Sequence, residues 1–405
     1  MKMEVKKMRI LIVNSFYYPN LVGGCEHSVK LLAEGLHNNK NEVAVFTIDN
    51  LSSRGIVREK ISNVEIFRCD GGMFNTSVRL HMKKNILNKI LNKFVELHNN
   101  YVSKMFEKVV DDFKPDIIHT NNLYGLSPLI WKVAASKNVK TVHTIRDYWI
   151  LDPTVENKER KNIFVKNYQH YFRKYSNYVD LVTAPSKFTL ETLLKNNYFK
   201  NANSKVIQNC VNMNIKQVND IIFEKNKRNS NSIIFIYVGM IDEKKGIINL
   251  LKAFSNINND NISLLICGNG ILENIVNDYC NRDKRISFLG QLSKNELNIQ
   301  WTKADVCIVP SIWDEPFGRV VIEANQYGLP VIGSNKGGIK EILDNIKTGE
   351  LFQYNDINDL TDKIKRFSVR DNIVKYYDKI LNNIEYYSLE NQIKMFQKEY
   401  ERLRR

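Results

Sequence analysis

Short β-branched runs alternate with amphipathic helical patterns along the whole chain. This alternation predicts an α/β protein of two Rossmann-like, doubly wound domains facing each other across a cleft. Length points the same way, because 405 residues exceed what one core usually serves and suit two domains of roughly 150–200 residues each. The third sign is a restart: a Lys- and Asn-rich stretch of weak periodicity, 214–231, separates one βα series from a second. The expected division is 1–212 for an N-terminal domain, 213–375 for a C-terminal domain, and 376–405 for terminal helices that cross back to the first.

The first series opens with the strand pattern RILIVNS, a glycine-bearing loop and the amphipathic EHSVKLLAEGL. Further strand patterns are EVAVFT, DIIHTN, TVHTI, LVTAPS and KVIQNCV. The second series carries IIFIYVG, ISLLICG, RISFLG, DVCIVPS and LPVIGS, with helical stretches such as IINLLKAF between them. Near the C-terminus Leu389, Ile393, Phe396, Tyr400 and Leu403 recur at helical spacing, so that helix has an apolar face to dock. Doubly wound sheets bind ligands at the carboxyl ends of their strands, and a cleft between the two domains is the expected site.

A hydrophobic content of 43% with 25% charged residues argues against disorder. The formal net charge of +15 suits an anionic partner. Basic residues are spread along the chain without a recognisable nucleic-acid motif, so no nucleic-acid partner is expected. Six cysteines without C-x-x-C spacing read as free thiols of a reducing compartment. No apolar run approaches the ~20 residues of a membrane span, which makes the expected location cytoplasmic. The basic amphipathic stretch 77–98 adds an anionic membrane surface, on the inner face of the plasma membrane, as a further expected partner. A helix packed on the sheet, with a solvated basic edge, accounts for that stretch slightly better. Metal chemistry is not expected: no D-x-D pair occurs, and the seven histidines lie at or before His170 without ligand spacing.

The most informative segment is PSIWDEPFGRVVIEANQYGLPVIG, in which a strand ends near Ser311, a loop carries Glu315 and a helix runs toward Gly328. Amides around Phe317 and Gly318 would open that helix, where an anion is favoured. A carboxylate at Glu315 can accept hydrogen bonds from sugar hydroxyls, and one at Glu323 can take two ribose hydroxyls. Read alone, an Arg319–Glu323 ion pair explains Glu323 better. In YVGMIDEKKGIINLLKAF, Gly239 ends a strand and a Lys245–Gly246 turn precedes a helix. In the first loop, Gly23 and Gly24 before Glu26 would let backbone amides approach a ligand and take positive φ. Aromatic and basic residues interleave from 161 to 175, including Phe164, Tyr168, Tyr171 and Phe172. They suit either a sugar-stacking surface or an insertion packed on itself.

These motifs resemble the retaining glycosyltransferases of family four, the group 1 transferases of GT-B fold, in their bacterial surface-polysaccharide branch. Glu315 and Glu323 have the family's spacing within its "EPFG…EA…G.PVI" surroundings, and smaller echoes run over nearly the whole chain. The resemblance implies transfer from a nucleotide-sugar donor, of UDP or GDP type, to a saccharide or lipid-linked acceptor, with no cofactor and no metal. It implies a catalytic set of Glu315, Lys245 and Asp147, with Glu315 on the donor sugar and Lys245 at the leaving diphosphate. Donor binding would fall to Gly23, Gly24, Gly239, Gly246, Phe317, Gly318 and Glu323, the last on the ribose. Two positions depart from the pattern. Met240 stands where the family often has Arg, and Arg146 stands where a His precedes the Asp kept here as Asp147. Arg146 is assigned to donor binding, as a holder of a phosphate or an acidic group. The alternative reading of the same motifs is a non-catalytic or regulatory nucleotide-sugar-binding protein.

Overall fold

A computed structural model of the chain describes residues 7–20, 23–49, 54–72, 92, 94–151, 163–228 and 231–405. The chain forms two compact units. The first is Met1–Gln208 together with Leu389–Arg405, and the second is Asn209–Ser388. The second unit therefore extends past the expected 375, because Ile373, Tyr376, Tyr377, Ile380 and Ile384 are buried in its core.

Among the described residues the first unit has eight strands: β1 (Arg9–Val13), β2 (Glu42–Asp49), β3 (Ile56–Ile61), β4 (Val64–Asp70), β5 (Ile117–Thr120), β6 (Lys140–Thr144), β7 (Leu181–Ala184) and β8 (Asn203–Val206). Their order is β3-β4-β2-β1-β5-β6-β7-β8. All neighbours pair in parallel except β3, which runs antiparallel to β4. That hairpin turns on Ser62 and Asn63, both at positive φ, the backbone a two-residue hairpin loop requires.

Both faces of this sheet are covered, and the alternation within strands decides which side chain goes where. Leu11 and Val13 join one core with Phe46, Phe106 and Trp131. Ile10 and Ile12 join the other with Val29, Leu32, Ile393, Phe396 and Tyr400. The C-terminal helix Leu389–Arg404 therefore closes the second face beside the helix Gly24–Asn38. Gly35 lets the two helices approach, since a Cβ there would stand 2.9 Å from the Ile393 side chain. Polar bonds fix the register of the docking: Glu399 pairs with Lys205, Arg404 with Asp116 at 3.1 Å, and the Tyr400 hydroxyl meets His119 Nδ1 at 2.6 Å.

The second unit has six parallel strands: β9 (Ile233–Val238), β10 (Ile262–Cys267), β11 (Ile286–Gly290), β12 (Val306–Val309), β13 (Val331–Ser334) and β14 (Gly349–Phe352). Their order is β11-β10-β9-β12-β13-β14. Numbered within the unit this is 3-2-1-4-5-6, the doubly wound arrangement whose direction of winding reverses between its first and fourth strands. The polar stretch 214–231 supplies a helix, Ile215–Asn226, whose first turn is capped by the Asn214 side chain accepting from the Gln217 amide.

The segment 77–98 lies outside the described residues over most of its length. Of the aromatics between 161 and 175, Tyr168 and Phe172 are fully buried, with the Phe172 ring 4.9 Å from that of Trp149. They form core, not a stacking surface; the Phe164 side chain is outside the described residues.

Among the described residues of the first unit two histidines are buried, His119 and His143. His143 lies between Trp131 and Phe199, and burial, aided by the Arg146 charge, pushes its pKa down to about 3. His119 is held well below the usual histidine range by burial first and Arg146 second. A depressed folded pKa stabilises fully above the unfolded value near 6.5, and that stability is lost as pH falls toward the folded value. Each histidine should therefore cost the first unit about 1.4 kcal/mol per pH unit below ~6. Urea midpoints measured between pH 7 and pH 5 should fall accordingly.

Candidate active site

In the second unit the winding reverses between β9 and β12, which are hydrogen-bonded neighbours. The loops leaving their carboxyl ends diverge to opposite sides of the sheet and leave a crevice. The β9 loop brings Gly239, Met240, Asp242, Lys245 and Gly246; the β12 loop brings Ser311 through Gly318.

The β9 loop closes as a single 3-10 turn, Glu243–Lys245, because the Asp242 side chain accepts from the Lys245 amide. Gly246 follows at φ 74°, and a Cβ there would fall 1.9 Å from the Pro310 carbonyl oxygen. No other residue fits where the two loops cross. The Lys244 carbonyl then accepts from the amides of Ile312 at 2.9 Å and Trp313 at 3.1 Å.

This tie brings Lys245 Nζ to 2.5 Å from Glu315 Oε1. Ser311 Oγ donates to the same carboxylate oxygen at 3.1 Å. The pair is only partly screened, with 32% of the lysine and 14% of the glutamate side chain exposed. From the far side, the Gly338 amide donates to the Glu315 carbonyl at 2.8 Å. Lys336, at the end of β13, donates to the Ile312 carbonyl at 3.0 Å. The loop carrying Glu315 is therefore held by β9 on one side and β13 on the other.

Glu323 lies on the next helix, Arg319–Asn325, which begins after Gly318 at φ 96°. Its Oε1 accepts from Arg319 Nε at 3.1 Å and Nη2 at 3.0 Å, so the ion pair expected from spacing forms. Phe317 directly precedes the Gly318 at the start of that helix. Its side chain is 4% exposed and packs against Tyr387. Met240 is 56% exposed and its carbonyl accepts from the Tyr237 hydroxyl at 2.6 Å.

The remaining predicted residues belong to the first unit, where the winding reverses between β1 and β5. Asn14 follows β1, and its Oδ1 accepts from the Asn122 amide at 3.0 Å and from Cys25 Sγ at 3.7 Å. The second contact ties the start of the helix Gly24–Asn38 to the strand ends. Gly23 donates its amide to Glu26 Oε2 at 2.9 Å. Gly23 sits at φ −170°, extended backbone that any residue adopts, and Gly24 is helical, so the expected positive φ does not occur at either.

Arg146 and Asp147 follow β6. Arg146 Nε donates to Asn121 Oδ1 at 3.0 Å. Asp147 accepts from Asn122 Nδ2 at 3.3 Å and from the Trp149 amide at 3.1 Å. The motif reading passed over Ser311, Lys336 and the buried Asn14, Asn121 and Asn122, which hold the predicted residues in place. Their signal was present: two consecutive asparagines end DIIHTNN, and polar side chains directly after buried strands are the groups available to orient a site. Among the described residues no group of three or more His, Cys, Asp or Glu is placed to hold a metal ion, and no helix is long and apolar enough to cross a membrane.

Comparison with known proteins bears on the family and the fold. Residues 218–396 match the family model of glycosyl transferases group 1, and residues 22–214 match that of glycosyltransferase family 4. An uncharacterised 42.6 kDa protein of the cps region of Klebsiella pneumoniae is 29% identical over 84% of this chain and 89% of its own. An uncharacterised glycosyltransferase of Methanocaldococcus jannaschii is 26% identical over 83% of both chains. Among solved structures, the sucrose-phosphate synthase of Thermosynechococcus elongatus superposes with a TM-score of 0.76 at 22% identity, over 98% of this chain and 99% of that one. HepE of Anabaena, in complex with UDP, gives 0.68 at 15% identity over 98% and 100%. With two doubly wound units and two family models that between them span 22–396, the chain belongs to the group 1, family four glycosyltransferases of GT-B fold.

Proposed function

We propose that this glycosyltransferase moves a sugar, with retention of anomeric configuration, from a UDP- or GDP-type nucleotide sugar to a saccharide or lipid-linked acceptor. The observation that carries the reading is the Lys245–Glu315 pair at the crevice of the second sheet. A lysine and a carboxylate held against each other by fixed loops are poised to exchange partners. Lys245 passes to the donor diphosphate and neutralises the charge growing there as the anomeric C–O bond breaks. Glu315 then accepts hydrogen bonds from sugar hydroxyls, while Glu323, steadied by Arg319, takes the ribose. The acceptor oxygen bonds to the anomeric carbon on the face the diphosphate leaves, and its proton passes to the departing phosphate oxygen. No protein nucleophile enters, and Asp147, the third member of the expected catalytic set, is fixed within the first unit by Asn122 and the Trp149 amide.

The similarity to a cps-region protein supports a place in bacterial surface-polysaccharide synthesis, in the cytoplasm. The UDP complex of HepE supports a nucleotide diphosphate as the donor's leaving group. The exposed Met240, uncharged at the end of β9, favours a second reading as a nucleotide-sugar binder without turnover. Donor hydrolysis or transfer by the purified protein separates the two.

Replacing Glu315 or Lys245 with Ala should lower kcat/KM about 10²–10³-fold, with circular dichroism unchanged; near-normal turnover in either variant would remove the role assigned to it. Since Lys245 supplies the cation at the leaving group, activity should survive EDTA. Loss of activity on chelation, restored by manganese, counts against metal independence. A lipid-linked acceptor also implies contact with the membrane, so co-sedimentation should favour vesicles containing anionic phosphatidylglycerol over pure phosphatidylcholine, and equal binding to both would refute that contact.

A further inference from the structure

We propose that Asn269 and Gln291 make the donor site of the second unit selective for uracil, so that the nucleotide sugar is a UDP sugar rather than a GDP sugar. The choice rests on the transferase reading above and names the base carried by that same donor. The two side chains leave adjacent parallel strands at their carboxyl ends, Asn269 after β10 and Gln291 after β11. That is the side on which doubly wound sheets take nucleotides. Asn269 Nδ2 donates to Gln291 Oε1 at 2.7 Å, which couples the two carboxamides. Asn269 Oδ1 and Gln291 Nε2 remain for a ligand, an acceptor and a donor side by side.

The backbone ties this pair to the rest of the donor site. The Asn269 carbonyl accepts from the Ile241 amide at 2.8 Å, on the loop that carries Lys245. Gly268, at φ 144°, passes so close to that loop that a Cβ would stand 1.8 Å from the Gly239 carbonyl oxygen. On the other flank Leu289 and Leu292, around Gln291, pack in one apolar cluster with Val320, which stands on the helix of Glu323. A nucleotide whose diphosphate meets Lys245 and whose ribose meets Glu323 has these two strand ends beside it for its base. Room is left there, since nothing lies within 4 Å of where a Cβ on Gly290 would be. Ile271 adds an apolar side chain 88% exposed, a surface suited to the face of a planar base.

The hydrogen-bond pattern decides between the bases. Uracil presents O4 beside N3–H, and the remaining donor and acceptor match that edge. Guanine presents two neighbouring N–H groups, N1–H and the 2-amino group, which the two oxygens of a carboxylate take best. The acidic side chains that follow these strand ends are turned to their own loops. Glu273 accepts from the Gly270 amide at 2.8 Å, and Glu296 from the Ser293 amide at 2.8 Å. The edge-reading groups presented here are therefore carboxamides. A site built to one hydrogen-bond pattern rejects a ligand that lacks it, because its polar groups are then left unpaired.

Isothermal titration of the full-length protein with UDP, GDP and ADP tests the choice. UDP should bind about tenfold or more tightly than either of the others. The double variant Asn269→Ala with Gln291→Ala removes two exposed side chains, so the fold should hold. It should weaken UDP about tenfold and bring the three nucleotides to within about threefold of one another. Asn269→Asp, which places a carboxylate at the base edge, should move the UDP to GDP ratio toward GDP. Binding of none of the three counts against the transferase reading, and against this choice with it. GDP or ADP binding as tightly as UDP overturns the choice of uracil and leaves the transferase reading intact. So does a double variant that keeps the full preference for UDP, or an Asn269→Asp variant whose ratio does not move.

Discussion

The Lys244 carbonyl, accepting from the amides of Ile312 and Trp313, is the group on which the candidate site depends. It joins two loops that leave adjacent strands and then run to opposite sides of the sheet. Without it Lys245 and Glu315, 70 residues apart in the chain, would sit on independently mobile segments. The close approach also explains why Gly246 tolerates no side chain. A catalytic geometry needs its groups held within fractions of an ångström, and backbone hydrogen bonds between loops achieve this better than side-chain contacts alone.

The first unit solves the same problem with carboxamides. Asn14, Asn121 and Asn122 are buried at strand ends, and each offers a donor and an acceptor that the sheet's own ladder has just ceased to use. They fix the strand-end loops and present Arg146 and Asp147. The C-terminal helix contributes from the other side, through Tyr400 on His119 and through Phe396 in the core. Changes at the end of the chain therefore reach a strand that carries site residues on its following loop.

Much of the fold was legible in the sequence, since buried parallel strands are continuous apolar runs and their helices are amphipathic. The β3–β4 hairpin was passed over because IVREKI is an edge strand with mostly exposed charged side chains, which lacks the apolar run that reveals a buried strand. β14 was missed for a similar reason, being four residues long and half-buried. The aromatic run near 168 left two readings open and burial decided for packing, and positive φ was expected at Gly23 and Gly24 but does not occur, because residue type states what a position permits and not what its neighbours demand.

The sequence by itself determined the α/β class, two βα series and the spacing that marks Glu315, Glu323, Lys245 and Gly246, because periodicity and local turn chemistry are written in neighbouring residues. Only the tertiary structure decided which groups meet. The Lys245–Glu315 pair, the Asn121 anchor on Arg146 and the return of the last helix to the first unit all join residues far apart in the chain. Strand order sets those meetings, and it follows from how crossover helices cover both faces of a sheet, a choice made by the packing of the whole unit.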